Sequence, residues 1–166
     1  MMRRKRKRPR PIEVDISVES SLWDDVDLSI IETTLQSSWN DLVNSDLPEA
    51  CDVSVVLTDN QHIRQLNQQY RQKDKPTNVL SFPTGEPIPG IDEWSLGDII
   101  LAYETINQEA EQQQKGFQHH LQHLLVHGLL HLLGYDHIED SDAHEMEQQE
   151  ISTLAKLGIE NPYEVN

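Results

Sequence analysis

The sequence predicts an α+β fold: one small, mixed sheet of four strands, packed with about five helices. Strand-like and helix-like apolar patterns alternate up to residue 102, and only helical patterns follow. The length of 166 residues fits a single hydrophobic core. We therefore expect one domain over residues 12–166, preceded by a disordered basic arm over residues 1–11.

Charge is distributed unevenly between the arm and the domain. Seven of the 13 basic residues lie in the first ten positions, which leaves six against all 29 acidic residues, a net charge of −23. Such a domain repels nucleic acid at long range, because phosphate binding depends largely on Lys and Arg. Any RNA contact must come from a local cluster. Besides the arm, the candidates are Arg64, Arg71, Lys73 and Lys75.

Cysteine content and hydropathy indicate in which cellular compartment the protein is located. Cys51 is the only cysteine, so an intramolecular disulfide is impossible, and we expect a zinc ion to be held without thiolates. No apolar stretch approaches the ~20 residues that span a bilayer, and no apolar signal core follows the basic start. We expect a cytoplasmic protein with no membrane partner.

The first half of the chain predicts two strands and two helices. Apolar and polar residues alternate over residues 12–18, as in a half-buried strand. Apolar residues then recur at helical spacing over residues 30–43. Residues 52–57 form the second predicted strand, and Asp59 is the expected N-cap of a helix that runs through Tyr70.

The second half predicts two more strands and three helices. Residues 79–82 form a third strand, and a loop rich in Pro and Gly separates it from an apolar fourth strand over residues 98–102. The helices are expected at residues 103–114, 117–133 and 142–157.

Three histidines near the end of the second of these helices predict a metal site. His127 and His131 are four residues apart and therefore lie on one helix face. Gly134 supplies a positive φ at which the chain can turn, so that His137 completes a triad. Imidazole is a common zinc ligand, and three protein ligands leave an open position for water or substrate. The pattern indicates one catalytic Zn²⁺ ion.

Because the helix carries further histidines, the ligand pair has to be chosen. His123 and His131 are eight residues apart, or about 12 Å along a helix, and cannot both bind one zinc ion at ~2 Å. The pair His127 and His131 lies nearer to the turn than the pair His123 and His127, and we favour it. We expect the remaining histidines to lie on the surface: His62, His119, His120, His123 and His144.

The spacing H-x-x-x-H-x-x-G-x-x-H also occurs in zinc proteases, in which a glutamate general base follows the first histidine. Gly128 occupies that position here, which weakens a peptidase interpretation. Asp136 or Glu139 could approach the metal from the turn instead. A metalloprotease-like hydrolase therefore stays as an alternative, as does a binding module with a structural zinc ion.

A second candidate segment runs from Tyr70 to Pro83 and is the most basic part of the domain. If the sheet brings it near the metal, Arg71 can bind a phosphate and stabilise the charge of a phosphoryl-transfer transition state. An ion pair between Arg71 and Asp74 is an equally good interpretation. Turn and cap residues such as Asn78, Ser81 and Asp98 gain a role only if they surround the site.

Three segments, YRQKDKPTNVLSFP, LGDIILAYE and VHGLLHLLGYDH, together resemble the YbeY family of bacterial zinc-dependent endoribonucleases over residues 12–157. The resemblance implies one zinc ion on His127, His131 and His137, and catalytic roles for these residues and Arg71. It also implies single-strand-specific cleavage in the 3′ maturation of small-subunit (16S) ribosomal RNA and in ribosome quality control. The implied partners are ribosomal RNA, the small subunit with its proteins, and a ribosome-assembly GTPase.

Overall fold

The computed structural model describes residues 11–42, 47–135 and 140–163, so nearly all of the predicted basic arm lies outside it. The described chain has the predicted α+β fold. Its strands are β1 (Glu13–Val18), β2 (Ala50–Thr58), β3 (Val79–Pro83) and β4 (Glu93–Ala102). Its α-helices are α1 (Ser29–Leu42), α2 (Asn60–Arg71), α3 (Tyr103–Gln112), α4 (Phe117–Leu132) and α5 (Asp140–Lys156). A short 3₁₀ helix, Ser21–Trp23, was not predicted.

The sheet is mixed, with the strand order β1-β2-β4-β3. β1 and β4 run parallel to β2, whereas β3 is an antiparallel edge strand beside β4. The prediction that the fourth strand starts at residue 98 is wrong, because β4 begins at Glu93. Its first half alternates between exposed and buried residues, so a search for a continuous apolar run detects only the second half.

The two faces of the sheet carry different helices. On one face, α1, α3 and α4 cover buried residues such as Val55 and Ile99. On the other face, α2 contributes Ile63 to a smaller cluster with Leu80 and Ile100. This alternation follows from the period of two in a β-strand, which sends neighbouring side chains to opposite faces. α4 and α2 are therefore separated by the sheet.

α4 lies between the sheet and α5. Its inner residues, including Leu125 and Leu129, join the main core. Its outer residues Val126 and Leu130 pack with Met146 and Leu154, which belong to α5, in a second apolar cluster. α4 is therefore held by apolar contacts with the sheet on one side and with α5 on the other. Within the described residues, no helix combines the length and apolar character needed to cross a membrane.

Candidate metal centre

His127 and His131 meet at the C-terminal end of α4. Their rings are nearly perpendicular, with centroids 4.6 Å apart, and the two Nε2 atoms are 3.1 Å apart. Two nitrogens bound tetrahedrally to zinc at ~2.0–2.1 Å are separated by about 3.3 Å. Both side chains are partly exposed. The pair that the sequence favoured therefore has a separation between its Nε2 atoms close to that of two zinc ligands.

The turn after α4 is the one that the sequence predicts. Gly134 has a φ of 99°, and the amide of Tyr135 donates to the carbonyl oxygen of Leu130 at 3.0 Å. This six-residue closure is the Schellman pattern, which requires a left-handed residue that glycine adopts without strain. The turn also holds the second ligand candidate, because Nδ1 of His131 donates to the carbonyl oxygen of Tyr135 at 3.1 Å.

The third predicted ligand, His137, lies outside the described residues, as do Asp136 and Glu139. Within the described part of the chain, no group of three or more His, Cys, Asp or Glu side chains is placed to hold a metal ion. The geometry of the candidate centre therefore rests on His127 and His131.

Glu150, in α5, was not identified from the sequence. Its carboxylate lies 2.5 Å from Nδ1 of His127 and 3.1 Å from Nε2 of His123, and the hydroxyl of Tyr163 donates to it. Only 1% of the side chain is exposed. Burial raises the pKa of Glu150, but hydrogen bonds from His123 and His127, the charge of His127 and the Tyr163 hydroxyl together lower it to about 2.

A weak signal for Glu150 was present in the sequence. Met146, Glu150 and Leu154 follow each other at intervals of four residues and therefore share one helix face. A glutamate between two apolar residues on such a face is unusual, since carboxylates are seldom fully buried without a partner. The pattern could have indicated a buried carboxylate, but not which histidine it contacts.

A second histidine and carboxylate pair lies at the other end of α4. Nε2 of His120 is 3.0 Å from Glu109 of α3, which also accepts a hydrogen bond from Asn78. The prediction that His120 and His123 lie on the surface is wrong: His120 is only 4% exposed and the His123 side chain only 15%. His119 and His144 are exposed as predicted, and His62 is partly buried.

Burial has a measurable consequence for His120. Desolvation lowers its pKa below the ordinary value, and the neighbouring Glu109 opposes this change. The Nδ1 atom of His120 is buried with no hydrogen-bond partner among the described residues. The contact between His120 and Glu109 therefore joins the N-terminal part of α4 to α3. Neither ring nitrogen of His120 is available to a ligand, because Nε2 contacts Glu109 and Nδ1 is buried.

Arg71 is the last residue of α2, the helix that covers the sheet face opposite α4. It is exposed at the end of α2, and the preceding Tyr70 packs edge-on against Phe82 of β3, with ring centroids 5.1 Å apart. The alternative ion pair with Asp74 is not formed, because Arg64 binds that carboxylate at 2.7 Å. The structure thus places the C-terminal end of α2, which carries Arg71, beside the edge strand β3.

Gly128 faces the sheet. A Cβ atom there would lie 3.1 Å from Ile99 and 3.2 Å from the Ser81 hydroxyl, which donates to the Gly128 carbonyl oxygen. Close approach of α4 to β3 and β4 therefore explains the glycine. Ser81 thus contacts the helix that carries the two histidines, whereas Asp98 is exposed on β4.

A cleft of about 920 Å³ opens beside His131. The end of α4 forms one wall, and the loop between β3 and β4 forms the other, with apolar residues such as Pro87 and Ile88. Glu86 and Asp92 also line it, whereas none of the described lining residues is Lys or Arg. The cleft is suited to apolar or aromatic groups rather than to a row of phosphates.

Comparisons with known proteins agree on one family. A family model described as Endoribonuclease YbeY matches residues 18–158. An endoribonuclease YbeY of Sinorhizobium medicae is 45% identical over 159 residues, which cover 92% of this chain and 95% of the relative. One of Acinetobacter baumannii is 50% identical over 139 residues, with coverages of 81% and 84%.

A solved structure has the same fold. The solution structure of TM1509 from Thermotoga maritima gives a TM-score of 0.53 at 25% sequence identity. The match covers 93% of this chain and 99% of that one. The likeness therefore extends over the whole domain rather than over the histidine motif alone.

Proposed function

This chain belongs to the YbeY family of endoribonucleases, and we propose that it cleaves RNA with one zinc ion held by His127, His131 and His137. The chain is a hydrolase that acts on RNA. The proposal concerns the metal, the residues that hold it and the substrate. The three histidines would hold the ion, which would supply Lewis acidity for phosphodiester hydrolysis near neutral pH.

The orientation of two rings carries the proposal. Nδ1 of His127 faces the Glu150 carboxylate, and Nδ1 of His131 faces a backbone carbonyl oxygen. Both partners only accept hydrogen bonds, so each Nδ1 must carry the proton. The two Nε2 atoms then carry lone pairs and lie 3.1 Å apart, close to the separation of two nitrogens that coordinate one metal ion.

We assign Arg71 to the RNA backbone. Its exposed guanidinium shares the cationic segment with Lys73 and Lys75, while Asp74 is engaged by Arg64. Arg71 binds a phosphate of an RNA strand that passes the edge of β3 toward the cleft, and it neutralises negative charge there. The cluster of Arg71, Lys73 and Lys75 gives a protein of net charge −16 a local surface that attracts RNA phosphates.

The cleft favours single-stranded RNA. Its proline and isoleucine side chains offer apolar surface to unpaired bases, and its acidic residues disfavour phosphates. Duplex RNA presents its phosphates outward and hides its bases, so it fits such a cleft poorly. Together with the family membership, this supports the 3′ end of small-subunit (16S) ribosomal RNA as substrate, with cytoplasmic ribosome maturation and quality control as the context. The small subunit, its proteins and a ribosome-assembly GTPase are the proposed partners.

A metalloprotease is disfavoured by the position of Gly128. A glutamate there would project into the contact between α4 and the sheet, where even a Cβ atom is tightly confined, and it would not reach the metal. A purely structural metal is disfavoured because 27% of the His127 side chain is exposed and a large cleft opens beside His131. Structural zinc sites are closed by four protein ligands.

The test compares three variants under identical conditions. His131→Ala should lose both zinc and RNA cleavage, whereas Arg71→Ala should lose cleavage but keep zinc. His144→Ala, on the exposed surface of α5, is the matched control and should change neither. The measurements are zinc content by mass spectrometry of the metal and cleavage of a labelled single-stranded RNA. Cleavage that persists in His131→Ala would point to a contaminating nuclease and would refute the proposed metal centre.

A further inference from the structure

We propose that Glu150 is a positioning residue of the metal centre, whose buried carboxylate holds the His127 ring so that Nε2 faces the metal. This inference rests on the proposed function, because it assumes that His127 is a zinc ligand. It extends the site from α4 to α5, 23 residues further along the chain. It also assigns supporting roles to His123 and Tyr163.

Both carboxylate oxygens of Glu150 are engaged. Oε1 faces Nδ1 of His127 at 2.5 Å. Oε2 faces Nε2 of His123 at 3.1 Å and accepts the hydroxyl of Tyr163. These contacts from α4 and from the segment after α5 fix the carboxylate plane, so the His127 ring cannot rotate without breaking its contact with Oε1. A fixed imidazole is what a small metal ion with short bonds requires.

The surroundings of Glu150 favour a role beyond packing. The residue lies on the face of α5 that carries Met146 and Leu154 and that packs against Val126 and Leu130 of α4. Burying a carboxylate destabilises a fold, and a protein with an apolar residue of similar volume in such a place is often as stable or more stable. A carboxylate beside a metal ligand, in contrast, fixes its tautomer and raises its basicity.

The pair of His120 and Glu109 provides an internal control. It also joins a histidine of α4 to a carboxylate, at 3.0 Å. Here the carboxylate takes Nε2, and the pair lies two helical turns before His127, away from the cleft. A change at Glu109 therefore disturbs the packing of α4 without altering the orientation of the His127 ring.

The experiment compares Glu150→Gln with Glu109→Gln in the full chain. Zinc affinity is measured by competition with a chromophoric chelator, and ligand geometry by the visible absorption spectrum of the Co²⁺-substituted protein. Glu150→Gln should weaken zinc binding by about 10- to 100-fold and shift the Co²⁺ spectrum. Glu109→Gln should leave the affinity within about twofold of the wild type and keep the spectrum.

A third variant, Glu150→Asp, decides the question if Glu150→Gln does not fold. It keeps the charge but withdraws it from His127, so folded protein with reduced zinc affinity supports the proposal. Wild-type affinity and an unchanged Co²⁺ spectrum in a folded Glu150 variant would overturn it. If the wild-type protein itself fails to bind zinc, the proposed function and this inference both fall, whereas a loss confined to His127 and His131 variants would refute the role of Glu150 alone.

Discussion

The two ends of α4 carry the same chemical pair arranged in opposite ways. Near the N-terminus, His120 is 4% exposed and its partner Glu109 is 30% exposed. Near the C-terminus, His127 is 27% exposed and its partner Glu150 only 1%. The carboxylate takes Nε2 in the first pair and Nδ1 in the second. In the first pair the histidine is the more buried partner, whereas in the second pair the carboxylate is.

This difference shows that a histidine and carboxylate pair does not by itself define a site. What matters is which partner is buried and which ring nitrogen the carboxylate takes. At His127 the carboxylate binds Nδ1, and Nε2 faces His131, which lines the cleft. At His120 the remaining nitrogen, Nδ1, is buried, so the pair contributes to packing between α3 and α4.

The largest expected effect comes from removing one ring at each end of the helix. His127→Ala should weaken zinc binding by about 100- to 1,000-fold, because a binding free energy of ~10–16 kcal/mol is shared among a few ligands. His120→Gln should leave zinc affinity within about twofold. Both affinities are measured by chelator competition on protein whose folding is confirmed by circular dichroism. Equal losses of zinc affinity in His127→Ala and His120→Gln would show that the pair of His127 and Glu150 does not differ in function from the pair of His120 and Glu109.

Sequence reasoning predicted the local parts of this arrangement. The spacing of His127 and His131 fixes their common helix face, and Gly134 marks the turn, because both depend on neighbouring residues only. The number and order of strands and helices were predicted for the same reason. Their apolar periods are short and strong, and most of them are bounded by turn or capping residues.

The contacts between distant segments could not be predicted in this way. The role of Glu150 depends on how α5 packs against α4, and no local pattern encodes which histidine its carboxylate contacts. The burial of His120 depends on Glu109 in α3, which makes a charged or polar residue acceptable in the interior. The position of Arg71 depends on which face of the sheet α2 covers, and a sequence period does not choose between the faces.

A smaller effect should follow from removing the hydroxyl that supports Glu150. Tyr163→Phe leaves the carboxylate of Glu150 with His123 and His127 but removes one donor. The unfolding free energy of the metal-free protein should fall by about 0.5–1.5 kcal/mol, the usual net contribution of one hydrogen bond. Zinc affinity should fall by less than in Glu150→Gln. Urea unfolding and chelator competition measure the two quantities.

Tyr70→Phe is the matched control for this prediction. Tyr70 is exposed on the far side of the sheet, where its ring packs against Phe82 and its hydroxyl is remote from α5. It should keep wild-type zinc affinity and nearly wild-type stability. If Tyr163→Phe matched it in both measurements, the hydroxyl of Tyr163 would contribute nothing to the C-terminal pair.

The smallest expected effect is a pH dependence of stability that arises at His120 and Glu109, the N-terminal pair of α4. Burial lowers the pKa of His120 below its ordinary 6.5; Glu109 opposes this, and His123 and Lys115 add to the lowering. As the pH falls, the unfolded chain therefore binds a proton at His120 at a higher pH than the folded chain does. The contribution of His120 to stability is present above pH ~6.5 and is lost as the pH falls through its lower pKa in the folded state.

His120→Gln removes this proton linkage and so tests its sign. Between pH ~7.5 and ~5.5, the metal-free wild type should lose more unfolding free energy than the variant, because its unfolded state takes up more protons at residue 120 than its folded state. His119→Gln, which changes an exposed neighbour, should retain the wild-type slope. Urea unfolding in the presence of a chelator gives both slopes. A steeper loss in His120→Gln would mean that Glu109 outweighs burial, and the N-terminal pair would then hold a charged imidazole rather than a neutral one.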